Sequence, residues 1–317
     1  MMTTAASKQR IKIDLRFASP DRHCMSFLYG SHNGFLLFKN IHCDTVLFIW
    51  NPITHEKLIL DTDSLCHAPC AFYFHPKSRE HRVLLRFYNK ATRLFEFIVV
   101  SLETKLSRAI TTSFSHPPFL EKNPIILNGA LHWPVDGVQY ETLNGIQLPC
   151  SNSIIAFDMD REEVLQTISH PGNQCAPSAD YLHINMQIID MEGKLCYCDC
   201  NPSYYSCTEI RLWILEDYEK QVWVKRHVVN TDSIMNSIGE KYRASERPMF
   251  KNYIELVHMY GDELLINLFS KFLFLCNLQS GTFRRAGEKR IGVSTRIRPV
   301  AHINTLVSLK KMDGRHA

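Results

Sequence analysis

A unit of short strands separated by tight turns recurs along most of this 317-residue chain, about every 45 to 50 residues. The first copy spans residues 30–60, in which Asn33-Gly34 and Asn51-Pro52 separate three runs rich in apolar and β-branched side chains. Asparagine and glycine tolerate positive φ, and proline fixes φ at about −65°, so both dipeptides predict turns. A meander of this size cannot bury both faces of its own sheet. The repeat therefore predicts that several copies pack side by side.

Four further copies follow, at residues 71–112, 124–168, 186–229 and 255–285. Short antiparallel strands that repeat at this period are typical of a β-propeller, in which each blade buries its two faces against its neighbours. Residues 11–17 alternate apolar with polar side chains and predict a lone strand, and residues 300–309 predict a second one. These two strands would share a blade and close the ring. We therefore predict an all-β, propeller-like ring of six antiparallel meander blades, or seven if a loop contains another blade.

One domain is predicted rather than two, because no composition shift or low-complexity segment divides the chain. This domain covers residues 11–310, between a disordered tail at residues 1–10 and a second tail at residues 311–317. Helical signals are weak: residues 233–242 predict one or two helical turns, and residues 136–151 are interpreted as an irregular loop.

Three groups of residues are assigned roles by this pattern. Glycine, asparagine and proline in the turns are predicted to shape them: Gly34, Asn51, Pro52, Asn128, Gly129 and Gly261. The tryptophans fall in or at the ends of strands and are predicted to pack the blades: Trp50, Trp133, Trp213 and Trp223. Exposed aromatic side chains in loops are the candidates for contact with a partner: Tyr140, Tyr204, Tyr205 and Tyr218.

Composition and charge exclude several classes of partner. The formal net charge is +4 over 317 residues, without a long block of lysine and arginine, which argues against nucleic-acid binding. No apolar run approaches the roughly 18 residues of a membrane-spanning helix, and the first residues do not resemble a secretory signal. We therefore expect a cytoplasmic or nuclear protein whose eleven cysteines are thiols.

The candidate metal and catalytic motifs are weak. Cys196, Cys198 and Cys200 would lie on one face of a strand and diverge, which gives a poor tetrahedron for zinc. A looser cluster, Cys66, His67 and Cys70, lacks a fourth ligand nearby. The nucleophile elbow, the His-Glu-x-x-His motif, the phosphate loop and the Rossmann fingerprint are all missing from the sequence. Asp158 and Asp160 flank a turn, where a carboxylate caps backbone N–H groups. We expect no metal, no cofactor and no enzymatic activity.

Three ordered landmarks carry a family resemblance. Residues 30–38 (GSHNGFLLF) are followed by IWNPITHE, residues 127–133 (LNGALHW) by IIAFD, and residues 210–218 (IRLWILEDY) by WVK. Together they span about residues 26–309, and the chain resembles the plant F-box-associated domain found in F-box and kelch-like proteins. The resemblance implies a propeller-like module that presents a target protein for ubiquitin transfer.

In such proteins an N-terminal F-box docks on a Skp-type adaptor of a cullin ubiquitin ligase. The residues before Gly30 do not resemble an F-box, so we expect that this chain does not dock on the adaptor by itself. The adaptor and the cullin are expected partners only if an F-box is supplied elsewhere. The target protein is not named by the sequence.

The sequence is also compatible with two other functions. A propeller enzyme, such as a hydrolase or glycosidase, would gather carboxylates or histidines with shifted pKa values in one central pocket. A carbohydrate-binding propeller would pair an exposed aromatic side chain with polar groups in a shallow pocket.

Overall fold

The computed structural model describes twenty strands and two α-helices arranged as five four-stranded antiparallel sheets. In each sheet the strands are hydrogen-bonded in the order in which they occur along the chain, so each sheet is a meander. We call these sheets blades 1 to 5. The described residues are 26–40, 46–61, 68–119, 123–172, 187–200, 209–238, 254–268, 272–288, 302, 305–307 and 309.

The first two blades lie near the start of the described chain. Blade 1 consists of β1 (Ser26–His32), β2 (Phe35–Asn40), β3 (Val46–Trp50) and β4 (Lys57–Asp61). Blade 2 consists of β5 (Ala68–His75), β6 (Glu80–Asn89), β7 (Leu94–Ser101) and β8 (Ser107–Phe114).

Blades 3 to 5 repeat this order, and blade 3 carries a helical insertion. Blade 3 consists of β9 (Ile125–Leu127), β10 (Ala130–Pro134), β11 (Ile154–Asp158) and β12 (Glu163–Ile168), with helix α1 (Gly137–Asn144) and a 3₁₀ turn (Cys150–Asn152) between β10 and β11. Blade 4 consists of β13 (Gln187–Met191), β14 (Lys194–Cys200), β15 (Glu209–Asp217) and β16 (Val222–Asn230), followed by helix α2 (Asp232–Ser237). Blade 5 consists of β17 (Ile254–Tyr260), β18 (Glu263–Leu268), β19 (Phe272–Asn277) and β20 (Phe283–Glu288).

The first strands of the blades lie closest to one another. β1 contacts β5, β9 contacts β13, and β13 contacts β17. Successive blades therefore stand side by side around a centre, with their first strands innermost, as in a β-propeller.

The core lies between neighbouring blades, which explains the continuous apolar runs of the inner strands. In β6, Val83 and Leu85 pack towards blade 1, whereas Leu84 between them packs towards blade 3. A strand points successive side chains to opposite faces, so a strand buried on both faces needs apolar residues at consecutive positions. The Val-Leu-Leu run of β6 is the sequence of such a strand.

The structure corrects the predicted number of blades. The described residues form five blades, not the six or seven that the sequence predicted. The predicted strand at residues 11–17 lies outside the described residues. Of residues 300–309, those that are described are not in a strand. Four of them, His302, Thr305, Val307 and Leu309, form hydrogen bonds to side chains of blade 1. These bonds replace the strand ladder that the apolar pattern suggested.

Helix α1 is a second departure from the sequence prediction. Residues 136–151 were interpreted as an irregular loop, but Asp136 caps a helix by accepting a hydrogen bond from the Gln139 amide at 2.9 Å. Gly145 ends this helix with a φ of 70°, a conformation that glycine adopts readily. The predicted helical turn at residues 233–242 overlaps α2. No helix in the described ranges is long and apolar enough to cross a bilayer.

Candidate interaction surface

The two ends of the blades differ in how the chain connects there. In a four-stranded meander, the connections between strands 1 and 2 and between strands 3 and 4 lie at one end of the sheet. The connection between strands 2 and 3, and the connection to the next blade, lie at the other end. We call these ends the short-turn face and the long-connection face. The long-connection face includes residues 135–153, with helix α1.

Polar side chains of the short-turn face stabilise their own turns. Asp158 Oδ1 accepts hydrogen bonds from the amides of Asp160 and Arg161, at 2.7 and 2.9 Å. Asn277 Oδ1 accepts in the same way from the amides of Gln279 and Ser280. Such side chains substitute for backbone turn bonds. The turn between β11 and β12 therefore uses Asp158 for architecture, as the sequence suggested.

Asn51, in the turn between β3 and β4, joins the end of the described chain to blade 1. Its Nδ2 donates to the carbonyl oxygens of Thr305 and Val307, at 3.1 and 2.8 Å. Its Oδ1 accepts from the amides of Ile53 and Thr54, at 2.9 and 3.3 Å. Asn51 is fully buried, and these bonds use both of its donors and its acceptor oxygen.

Further contacts hold the same segment against blade 1. The amide of Leu309 donates to Glu56 Oε2 at 2.5 Å, and Ser31 Oγ lies 2.8 Å from His302 Nδ1. Gly34 has a φ of 84°, and a Cβ at this position would lie 2.2 Å from Thr305 Cγ2. Gly34 is thus required both by the turn and by the close approach of Thr305.

Glu162 forms a buried ionic contact between blades 2 and 3. It lies in the turn before β12, and its carboxylate accepts a hydrogen bond from the Tyr73 hydroxyl at 2.9 Å. The same carboxylate forms ion pairs with Arg82 and Arg108 of blade 2. Burial raises the pKa of Tyr73, so its hydroxyl stays protonated and remains a donor. One carboxylate of blade 3 thereby binds three side chains of blade 2.

The tryptophans predicted to pack the blades occupy two kinds of position. Trp133 Nε1 donates to the carbonyl oxygen of Cys70 in blade 2, and Trp223 Nε1 donates to that of Ser169, just after β12; both distances are 2.9 Å. These two side chains bridge neighbouring blades. Trp50 is buried within blade 1. Trp213 is half-buried, with Lys225 Nζ 5.7 Å from its ring centroid.

The remaining predicted turn residues lie in turns of the short-turn face. Asn128 and Gly129 connect β9 to β10 with φ values of 52° and 75°, and Gly261 connects β17 to β18 with a φ of 54°. Pro52 is buried beside Asn51. Positive φ explains why asparagine and glycine occupy these positions.

The tyrosines proposed as partner contacts are placed differently from the expectation. Tyr140 is only 8% exposed, because it lies on helix α1 and stacks on His116 with ring centroids 5.0 Å apart. Tyr218 is half-buried and hydrogen-bonded to His132. Neither is a free loop side chain. Tyr204 and Tyr205 lie outside the described residues.

His132 is buried in a way that favours its neutral form. Its Nδ1 donates to the Ile125 carbonyl oxygen at 3.2 Å, so its Nε2 accepts from the Tyr218 hydroxyl at 2.8 Å. Burial lowers the pKa of His132, and the hydrogen bond to the Ile125 backbone opposes this effect only in part. Protonation would turn the accepting Nε2 into a donor.

A pH-dependent stability follows from this arrangement. The pKa is lower in the folded state than the value of about 6.5 in the unfolded chain, so the neutral histidine contributes stability above that pH and loses it as the pH falls below 6.5. We expect the His132→Gln variant to be less stable than the native chain at pH 7.5, and this gap to narrow at pH 5. Urea unfolding at both pH values measures the gap. A stability difference between the native chain and the variant that is the same at both pH values would contradict a buried, neutral His132.

The long-connection face carries the features that the sequence did not reveal. On and after helix α1, Val138 and Ile146 are 53% and 60% exposed. Gln139 of the same helix accepts a hydrogen bond from Arg86 Nη1 at 3.0 Å. Two sequence signals could have indicated these features. Asp136 and Gly145, nine residues apart, mark the two ends of the helix, and Arg86 is a single arginine within the apolar run of β6.

The candidate metal ligands are buried thiols where they are described. Burial raises the pKa of both Cys70 and Cys196 to about 12, so neither is a thiolate at neutral pH. Within the described ranges, no group of three or more histidine, cysteine or acidic residues is placed to hold a metal ion. Cys66, His67 and the side chain of Cys200 are outside those ranges.

Comparisons with known proteins agree with the resemblance. A family model described as the F-box associated beta propeller domain matches residues 2–309. An F-box protein of Arabidopsis thaliana is 25% identical over 210 residues, which cover 64% of this chain and 41% of that protein. A second Arabidopsis thaliana protein, provisionally named an F-box protein, is 28% identical over 228 residues, which cover 67% of this chain and 52% of that protein. The chain thus spans about half the length of these curated relatives, or less.

A solved structure, the β-propeller domain of the Trilobed protease from Pyrococcus furiosus, is similar with a TM-score of 0.45 and 12% identity, covering 84% of this chain and 86% of that one. The family match covers every residue of the five blades. This chain belongs to the family of F-box associated beta propeller domains.

Proposed function

We propose that this chain is a substrate-recognition module that binds a target protein through its long-connection face. The observation that carries the proposal is the insertion between β10 and β11, where helix α1 and the segment that follows it present Val138 and Ile146 to solvent. Irregular connections on a rigid scaffold are where binding residues concentrate. The short-turn face is a weaker candidate, because its polar groups stabilise the turns themselves.

The role of the module in a ubiquitin ligase is part of the same proposal. The curated relatives are named F-box proteins, and in such a protein the propeller holds the target while the F-box binds the adaptor. Contact with a Skp-type adaptor and a cullin would then depend on an F-box, wherever it is encoded. The target itself would contact only the propeller.

The described residues give no specific support to the enzyme or carbohydrate alternatives. Glu162, the buried carboxylate between blades 2 and 3, is occupied by Tyr73, Arg82 and Arg108. His132 is occupied by Tyr218 and the backbone of Ile125. Both groups stabilise contacts between strands or blades, so neither is proposed as a catalytic group.

Charge introduced on helix α1 and next to it tests the proposed surface. We expect the Val138→Asp and Ile146→Asp variants to bind the target about tenfold more weakly or worse, because a buried charge in an interface is strongly unfavourable. Targets are identified by proximity labelling in Arabidopsis cells, and affinities are then measured by calorimetry with the purified target.

The Leu106→Asp variant is the matched control. Leu106 is 71% exposed and lies on the short-turn face, in the turn between β7 and β8. Its replacement should leave the affinity within about twofold of the native value. Loss of binding with the Leu106 variant, together with unchanged binding of the two variants at α1, would place the interface on the other face.

A further inference from the structure

Arg86 is a buried arginine whose described contacts are all uncharged. It lies in β6, on the side that faces blade 3, and is only 7% exposed. Its Nη1 donates to Gln139 Oε1 of helix α1 at 3.0 Å, and its Cζ lies 4.8 Å from the centroid of the Phe95 ring. Within the described ranges, no carboxylate lies within ion-pairing distance of this guanidinium.

This environment is unusual, because arginine is rarely buried unless it is paired with an anion. Arg82, four residues earlier in the same strand, shows the usual arrangement: it pairs with both Glu162 and Glu80. Asp136 is the carboxylate whose charge raises the pKa of Arg86, but its Oδ1 already caps helix α1 at the Gln139 amide. Burial lowers the pKa of Arg86, so its charge is held where water solvates it poorly.

The guanidinium is also held with one edge available. Gln139 binds Nη1, and among the described residues neither Nε nor Nη2 donates a hydrogen bond. Nε and Nη2 form the edge that binds a carboxylate or a phosphate through two parallel hydrogen bonds. Because Gln139 accepts through its oxygen, its amide NH₂ group is a further donor at the same place.

We propose that Arg86 is the anchor of an anion-binding site beneath helix α1, which takes a carboxylate or phosphate group carried by a segment of the target protein. The biological use of the site rests on the proposed function. Its binding chemistry does not, because a small anion would occupy it without any target. Val138 lies next to Gln139 in the sequence and is exposed, so a segment anchored at Arg86 would contact the apolar surface of α1.

Thermal unfolding of the whole chain with inorganic phosphate tests the site, at constant ionic strength set with chloride. Since a ligand that binds only the folded state raises Tm, we expect Tm to rise with phosphate concentration. The Arg86→Met variant should bind phosphate at least about tenfold more weakly. Arg284→Met is the control, because Arg284 is an exposed arginine of blade 5 that pairs with Glu263. It should respond like the native chain.

The Arg86→Lys variant keeps the test decisive if Arg86→Met does not fold. Lysine retains the charge and the stem but lacks the two-donor edge, so phosphate should bind more weakly, by about tenfold. A native chain that phosphate does not stabilise, or an Arg86→Lys variant that responds like the native chain, would overturn the proposal. A parallel titration with acetate identifies the source: a larger shift with acetate indicates acidic side chains, and a larger shift with phosphate indicates a phosphorylated segment.

The target-binding assay separates this proposal from the proposed function. If Val138→Asp abolishes target binding but Arg86→Lys leaves it unchanged, the interaction surface stands and Arg86 is not its anchor. If phosphate binding requires Arg86 but the variants at α1 bind the target normally, the anion site stands and the target binds elsewhere.

Discussion

Replacing Glu162 by alanine is expected to lower the free energy of unfolding by about 3 to 5 kcal/mol. The variant leaves Arg82 buried between blades 2 and 3 without its closest carboxylate, and it removes the acceptor of the Tyr73 hydroxyl. Arg108 adds little to this estimate, because its side chain is more than half exposed and such pairs are screened by solvent. Urea unfolding followed by circular dichroism measures the loss.

The neighbouring residue provides the control for this prediction. Glu163 pairs with Arg161 at 3.6 Å, but both side chains are largely exposed. The Glu163→Ala variant should therefore change the free energy of unfolding by no more than about 0.5 kcal/mol. Adding Arg82→Met to Glu162→Ala should recover part of the loss, because it removes a buried charge that has lost its closest carboxylate. Equal losses for Glu162→Ala and Glu163→Ala would refute the buried ionic contact.

Replacing Asn51 by aspartate is expected to cost about 3 kcal/mol or more, although the two side chains have the same shape. The substitution places an acceptor where Nδ2 now donates to the carbonyl oxygens of Thr305 and Val307. Three acceptors would then face one another in a fully buried site. We expect the segment around these two residues to separate from blade 1 in this variant. Hydrogen exchange of the amides of Val307 and Leu309 measures that separation.

Asn128 allows the same substitution at a site where nothing depends on the amide. It is an exposed turn residue with a φ of 52°, and aspartate also tolerates this conformation. The Asn128→Asp variant should stay within about 0.5 kcal/mol of the native stability. If Asn51→Asp were equally mild and left amide exchange unchanged, Asn51 would not hold the end of the chain.

The repeat could be predicted from the sequence because the turns and strands of a blade each have a local sequence pattern. Asn33-Gly34 and Asn128-Gly129 identify turns through the backbone conformations that they allow, and apolar runs such as that of β6 identify strands buried on both faces. The predicted closing blade depended on residues 11–17 and 300–309, and the apolar residues of the second segment suggested a strand. The partners of this segment, Asn51 foremost among them, lie about 250 residues or more earlier in the chain, and no local pattern encodes those contacts.

The candidate site was harder to predict for a related reason. Helix α1 is short. Its sequence signals are limited to Asp136, which caps its start, and Gly145, which ends it. The sequence predicts a loop at Tyr140, whereas in the structure the helix places the Tyr140 side chain against His116. The charge of Arg86 is visible in the sequence, but its burial without a counter-ion depends on Gln139 and Phe95, which come from other elements.

Hydrogen exchange of the propeller, with and without its purified target, tests whether the target binds the long-connection face. We expect binding to protect amides of the long-connection face, around Val138 and Ile146 and in the hairpin that joins β6 to β7. Amides of the short-turn face, such as those of Leu106 and Tyr260, should exchange at unchanged rates. Protection confined to the short-turn face, with none around helix α1, would contradict the account.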